Sequence, residues 1–328
     1  MFEVTLRLDP EALFVSGTMS QSRLGTVLVG GGSGFIGTSL TAQLRKRGYD
    51  VMIVSRKPGP YRMTWSELSQ SGLPKNTTAV VGLSGQNVLD PLRRWTPGFR
   101  QNVWASRVNS TRSLAEVISA APVKPNVFVS ISGVGFYEPS ETAEYNEESA
   151  GGEADYMGRL CTAWEEAARG VEDAGVRSVI IRSGVVLGRH GGMIQQIFMP
   201  FYLGLGGPIG SGRQFFPWIH IDDIVSLFIF AIENPEVSGV LNGVAPQPVT
   251  NGEFSAALAG ALHRPGVIPL PAAAVRLAFG ETRARMMVEG QRVLPRRPLQ
   301  LGFQYRYPDI ESACREVARL RYTPVKPY

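Results

Sequence analysis

Gly31, Gly34 and Gly37 follow a short apolar run, Thr26-Val-Leu-Val29, and precede a helical stretch reaching about Arg47. Glycines at this spacing between a strand and a helix suit one task. The first permits a tight turn, the second lets backbone approach a diphosphate, and the third lets helix and strand pack closely. The helix N-terminus adds its positive dipole. With 37 glycines in 328 residues the spacing alone is weak, and it recurs at Gly204, Gly207 and Gly210. There Pro208 interrupts the pattern and no strand precedes it. Context singles out the first loop as the ligand cradle.

The next β-rich run, Val51-Met-Ile-Val54, ends in Ser55-Arg56-Lys57. A dinucleotide with a free ribose 2′-hydroxyl is usually held here by Asp or Glu. A carboxylate would repel a 2′-phosphate, whereas a guanidinium clasps it with two parallel hydrogen bonds. The sequence therefore favours NADP(H) over NAD(H), with Arg56 on the phosphate.

Strand, glycine turn, helix and strand within about 30 residues make a βαβ unit. Further strands are expected at Thr78–Leu83, Val127–Ser132 and Ser178–Arg182. Strands alternating with helices predict the α/β class, a doubly wound parallel sheet of Rossmann type. Beyond Gly184 the texture changes. Gly188–Gly192 and Gly204–Gly212 read as loops, Asp222-Asp223 as the cap of a helix carrying the apolar run Ile224–Ile232, and proline and arginine accumulate from Arg264. The expected division is an N-terminal extension at 1–25, a nucleotide-binding domain at 26–185 and a smaller, irregular substrate lobe at 186–320. About 221–245 would return to the first domain, and 321–328 would form a tail. Met19 lies just before the first strand, so residues 1–18 read as dispensable.

Composition narrows the function classes. Hydrophobic residues make up 44% and charged residues 19%, which excludes a mainly disordered chain. The formal net charge is +5, but the arginines are spread without a basic arm, so neither nucleic acid nor a membrane surface is the expected partner. The apolar run Ile224–Ile232 is far short of a membrane span. Cys161 and Cys314 are the only cysteines, which excludes a disulfide scaffold and fits a reducing compartment. His190, His220 and His263 are too scattered to predict a metal site. Glu3, Asp9 and Glu11 break up any secretory signal, and the segment matches a mitochondrial presequence only weakly. The expected location is cytoplasmic, with mitochondria as the alternative.

Gly30-Gly-Gly-Ser-Gly-Phe-Ile-Gly37 resembles the opening of extended short-chain dehydrogenase/reductases. Further segments narrow the match: Gly82–Gly85, Val129–Tyr137, Ile181–Gly188, Pro217–Asp223, Leu241–Pro246 and Glu289–Pro295. Together they resemble the atypical extended branch called the epimerase family, across about Thr26 to Ala318. The resemblance implies that Gly31, Gly34, Phe35, Ile36 and Gly37 hold the cofactor diphosphate, and that Ser55 and Arg56 hold the 2′-phosphate. Leu83, Ser84 and Gly85 would line adenosine and ribose, Asn102 and Arg107 would reach the dinucleotide from the following helix, and Val185 would approach the nicotinamide. The implied activity is that of an NADP(H)-dependent oxidoreductase acting on an unknown small substrate.

A typical member of that superfamily uses Ser or Thr together with Tyr-x-x-x-Lys, whose lysine lowers the tyrosine pKa for proton exchange. Ser132 fits the serine position. Anchored on Trp164-Glu165, however, the tyrosine and lysine positions fall on Met157 and Cys161, and no lysine occurs between Lys124 and Lys326. The literal match Tyr322 to Lys326 lies beyond the cofactor region. Tyr156, Tyr137 or Glu148 could replace the missing donor, and Tyr156 is taken forward with Ser132 as a catalytic candidate. Cys161 reads as a buried helix-face residue. Gly212–Trp218 combines a guanidinium, an amide and aromatics, suiting a pocket for an anionic or polar group; His220 is a further acid–base candidate, and Arg283, Arg285, Arg292, Arg296 and Arg297 could contact a phosphate. Two alternatives stand beside the oxidoreductase: an NADP(H)-binding sensor or partner-binding protein with little or no turnover, and a nucleotide-sugar epimerase proper.

Overall fold

The computed structural model describes residues 24–90 and 92–319. The segment 1–18, the tail 321–328 and the Tyr322–Lys326 match lie outside the described residues. The strands are β1 (Thr26–Gly30), β2 (Asp50–Ser55), β3 (Arg62–Thr64), β4 (Thr77–Gly82), β5 (Val127–Gly133), β6 (Glu144–Tyr145), β7 (Arg177–Ser183), β8 (Val185–Leu187), β9 (Trp218–His220), β10 (Gly239–Gly243) and β11 (Arg292–Val293). Seven of them form one parallel sheet in the order β10-β7-β5-β4-β1-β2-β3, so the expected doubly wound α/β architecture is present.

Helices cover both faces. They are α1 (Phe35–Lys46), α2 (Trp65–Ser71), α3 (Pro97–Trp104), α4 (Ser110–Ala120), α5 (Tyr156–Arg169), α6 (Gly192–Tyr202) and α7 (Ile221–Glu233). A π-helical turn, Ala105–Asn109, joins α3 to α4. In β1, Val27, Leu28 and Val29 are all fully buried, the continuous apolar run that a two-sided parallel strand requires. Val27 and Val29 pack with Leu40, Leu44 and Phe228 on one face, while Leu28 packs with Val80, Leu114, Ile118 and Phe128 on the other. Short β3 and the helix after it are not foreshadowed by periodicity. Thr64 secures that helix through a capping box with Glu67.

After β7 the chain leaves the sheet, forms the separate β8–β9 ladder, and comes back as α7 and β10. The expected Asp222-Asp223 cap is corrected by the structure. His220 is the N-cap of α7 and accepts from the Asp222 N–H, whereas Asp223 is buried and accepts from the N–H groups of Arg306 and Tyr307. Asp223 thus ties a distant segment to the start of α7. The remaining helices are α8 (Asn251–Ala261), α9 (Ala272–Phe279), α10 (Glu281–Val288), α11 (Arg296–Gln300) and α12 (Ile310–Ala318). Helices α6, α8 and α12 enclose a second core around Phe198, Phe216, Trp218, Phe254 and Ile310.

Candidate functional site

The glycine turn joins β1 to α1 at the carboxyl ends of the sheet strands. Gly31 has φ +79°, and a Cβ there would lie 2.7 Å from the Leu83 carbonyl carbon. At Gly37 a Cβ would lie 2.3 Å from Gly31 O and 2.6 Å from Gly32 Cα, so helix and turn are in contact. Gly34 differs: its one close neighbour would be Gly31 O at 3.3 Å. It is also the N-cap of α1, with no side-chain cap and no acid in the first turn. The three glycines therefore have three causes, and the middle one leaves an approach to uncapped N–H groups open. Phe35 turns its ring away into packing, under the loop where a Cβ at Gly191 would meet it at 2.3 Å. Ile36 packs against the core.

Leu83 N donates to Gly30 O at 2.8 Å, which holds the end of β4 against the turn. A Cβ on Gly30 would lie 3.5 Å from Ser84 Oγ, and one on Gly85 would lie 3.2 Å from Arg107 Cζ. Gly31, Leu83, Ser84, Gly85 and Arg107 thus form one continuous surface. Ser55 donates to Lys57 O, and Arg56 and Lys57 project exposed at the end of β2. Asn102 is exposed on α3 and lines a groove of about 420 Å³ with Arg93, Arg94, Thr96 and Phe99, whose lining includes no glycine-turn residue. Val185 begins β8, outside the main sheet, and donates to Pro217 O.

The catalytic candidates sit in other surroundings. Ser132 is buried and donates to Glu165 Oε1 at 3.0 Å. Glu165 accepts from Arg182 Nε at 2.7 Å and Nη2 at 2.8 Å, a buried fork-to-fork pair. Arg182 also donates to the Tyr137 hydroxyl, which donates in turn to Asn242 Oδ1. Tyr137 is therefore a member of a buried network, and burial raises its pKa. The Tyr156 hydroxyl donates to Arg100 O at 2.7 Å, and its ring meets Trp95 and Trp104 edge-on. Glu148 is exposed.

Met157 and Cys161 do face the end of β5: a Cβ on Gly135 would lie 3.4 Å from Met157 Cβ, and one on Gly133 would lie 3.7 Å from Cys161 Sγ. Burial, reinforced by Glu165, pushes the Cys161 thiol up to about 12, the opposite of an activated nucleophile. The pKa of His220 falls to about 4, chiefly through burial and also through Arg306. That imidazole is a neutral cap. Gln214 is buried and donates to Ile209 O and Met287 O; Arg283 is buried and donates to Phe279 O, Asp90 O and Arg93 O. Arg297 donates to Val240 O and Ser238 O, Arg292 pairs with Glu144, and Arg285 pairs with Glu289 and approaches Asp155. The Glu165–Arg182 pair escaped sequence reasoning. Its signal is an arginine directly after the apolar run Val179-Ile180-Ile181 within one strand.

A parallel sheet with its glycine turn between β1 and an uncapped α1 defines a Rossmann-type nucleotide-binding protein. A family model, the NAD dependent epimerase/dehydratase family, matches residues 27–242, and the chain belongs to that family. A second, Domain of unknown function (DUF1731), matches residues 270–317. The chain is 53% identical over 291 residues to a human protein called epimerase family protein SDR39U1, covering 89% of this chain and 99% of that one. A crystal structure of human SDR39U1, isoform 2, described as with NADPH, superposes with a TM-score of 0.87 at 53% identity, covering 89% and 99%. An Arabidopsis thaliana relative, called the chloroplastic homolog of that protein, is 37% identical over 305 residues, covering 89% and 86%.

Proposed function

We propose that this chain is an NADP(H)-binding oxidoreductase of the extended short-chain dehydrogenase/reductase type, acting on an unknown small substrate without the usual Tyr-x-x-x-Lys pair. The observation that carries it is the glycine turn, where the open face of Gly34 meets the uncapped start of α1. The residues fit the group. Gly31, Gly34, Gly37 and the N–H groups of Phe35 and Ile36 would hold the diphosphate, with Ser55 and Arg56 at the 2′-phosphate. Leu83, Ser84, Gly85, Asn102 and Arg107 would line the dinucleotide, and Val185 would border the nicotinamide. The human relative's description as a complex with NADPH supports this choice. When bound, the cofactor supplies hydride chemistry.

The nucleotide lobe is taken as 26–185 with 221–245, and the substrate lobe as the rest of 186–320. For the proton, Ser132 and Tyr156 are the candidates, yet both hydroxyls are engaged, by Glu165 and by Arg100 O. That engagement favours a second reading, an NADP(H)-binding sensor or partner-binding protein with little turnover. Among the described residues no helix is long and apolar enough to cross a membrane. Cytoplasm is the proposed location, and the plant relative's chloroplastic description supports an organelle as the alternative.

The test is a titration of NADPH and NADH against wild type and Arg56→Ala. NADPH should bind the wild type much more tightly, and loss of a charge-assisted pair worth about 1.5–3 kcal/mol should cost roughly ten- to a hundredfold in NADPH affinity alone. Wild type that binds neither at micromolar concentration overturns the proposal. Turnover with a panel of carbonyl compounds then separates the enzyme from the sensor.

A further inference from the structure

Exposed apolar side chains are ordinary when scattered, but on the lobe of α6 and α9 they adjoin one another. Met199, Leu203 and Leu205 stand exposed at and just beyond the end of α6. Val267, Ile268 and Leu270 stand exposed on the segment that leads into α9. Backbone bonds join the two runs: Ile268 N donates to Gly206 O, Leu270 N to Pro208 O and Gly210 N to Leu270 O. A Cβ on Gly204 would also lie 3.4 Å from Pro265. Helix α9 continues the surface, presenting Ala273, Ala274, Leu277 and Ala278 outward along one face. The leading segment carries Pro265, Pro269 and Pro271, which remove N–H donors, so the face is poorly made for an added strand. It offers side chains.

Area and composition define the occupant. The seven large side chains are 45–90% exposed. At about 100 Å² for each one fully buried, they hold roughly 450 Å² of apolar area. Each partner in a standard protein interface contributes about 800 Å², of which about 56–65% is non-polar, so the face is of the size a stable dimer needs. No Asp, Glu or Lys occurs in 189–221 or 254–280, the stretches that build it, whereas Met and Arg do occur. Depletion of those three residues marks the cores of protein interfaces. A bilayer surface would instead call for clustered free cations and for Trp or Phe at the rim. Here Arg264 Nε donates to Tyr202 O at 2.8 Å and Arg276 pairs with Glu281 at 3.5 Å. No exposed aromatic residue lies within 199–205 or 265–279.

We propose that this face is the interface of a homodimer, in which the end of α6, the segment 265–271 and α9 cover the same elements of a second copy about a two-fold axis. One face serves both copies, so the contact closes at two. None of its residues belongs to the candidate cofactor surface, and the inference does not depend on the NADP(H) reading. The dimer would brace α9, which meets α10 at Gly280, and Arg283 of α10 clasps the carbonyls of Asp90 and Arg93 after β4.

The experiment is sedimentation velocity of the full chain from about 1 to 100 µM. Wild type is compared with Leu203→Glu, Val267→Glu and a control, Val123→Glu, at an exposed apolar position away from the face. Wild type should be dimeric at about 10 µM. Leu203→Glu and Val267→Glu should each raise the dissociation constant by about a hundredfold, because the interface would bury an unpaired carboxylate, and Val123→Glu should not change it. If a variant fails to fold, hydrogen exchange of the wild type decides: the amides of 199–205 and 265–279 should exchange more slowly at the high concentration than at the low one. A wild type that stays monomeric throughout overturns the inference. So does a dimer that both glutamate variants leave as tight as before, because its interface then lies elsewhere. A monomer that sediments with anionic phospholipid vesicles, and no longer does so as Leu203→Glu, gives the face to a membrane and overturns it as well.

Discussion

Replacing the three loop glycines with alanine one at a time separates packing from ligand approach. At Gly37 the added methyl would lie 2.3 Å from Gly31 O and 2.6 Å from Gly32 Cα, both backbone atoms that retreat only if the turn moves off the helix. Overpacking of that kind costs about 1–3 kcal/mol or more. At Gly31 the methyl meets Leu83 and Ser84 backbone at 2.7–2.8 Å, and φ +79° adds about 1–2 kcal/mol of left-handed strain. At Gly34 φ is −79° and Gly31 O at 3.3 Å needs to give by only a few tenths of an ångström. Alanine is a poorer N-cap than glycine, so the stability cost there should stay under about 1 kcal/mol. Differential scanning fluorimetry without ligand should therefore melt Gly37→Ala and Gly31→Ala clearly below wild type, by roughly 2 °C or more per kcal/mol, and leave Gly34→Ala close to it. NADPH titration should reverse the apparent mildness of Gly34→Ala, whose methyl would occupy the face that the proposed function gives to the diphosphate, with a loss of about tenfold or more. A Gly34→Ala protein that melts and binds like wild type refutes the assignment of that face to the cofactor.

Glu165→Gln removes one partner of a buried charge pair and should destabilise the fold by about 3–5 kcal/mol in denaturant unfolding, because Arg182 is left buried and under-compensated. His220 titrates at about 4 when folded against about 6.5 when unfolded. Its contribution is complete above the unfolded value and is lost as pH falls through 6.5 toward 4, at up to about 1.4 kcal/mol per pH unit. Guanidinium unfolding at pH 7, 6 and 5 should show this slope, and His220→Asn, which keeps a capping side chain, should flatten it. Asp223, held above the usual carboxylate range by burial, acts in the opposite sense at the acid end. Cys161 and Cys314, both buried and pushed up to about 12, should resist a thiol reagent at pH 8 in the native protein and react together after unfolding; rapid native labelling would contradict their placement.

The geometry of the glycine turn was legible because its constraints are local. Gly31, Gly34 and Gly37 act within one turn and between one strand and one helix, so spacing plus flanking periodicity carries nearly all of the information. Arg56 is likewise read from its place at the end of a strand. The chemistry was less legible because it depends on distant partners. Ser132 is at the end of β5, but only the folded chain shows its hydroxyl accepted by Glu165 and Glu165 held by Arg182, residues 33 and 17 positions away respectively in those contacts. His220 beside two aspartates looked like a helix entry with acid–base potential; the entry is real, but the cap is the imidazole itself, and Asp223 serves a segment more than eighty residues on.

Long-range ties also explain how α5 keeps its place without a Tyr-x-x-x-Lys pair. In α5, Glu165 is anchored to β7 through Arg182, Trp164 Nε1 donates to Thr111 Oγ1, and Asp155 caps the Gly158 N–H. None of these contacts involves Met157 or Cys161, the positions that would carry tyrosine and lysine, which pack against Gly135 and Gly133. The position of α5 does not depend on the residues at 157 and 161 through any of these bonds. A cofactor cradle maintained by backbone and a helix maintained by its own buried pair can persist with either an altered reaction or none, which is why nucleotide affinity and turnover have to be measured as separate quantities.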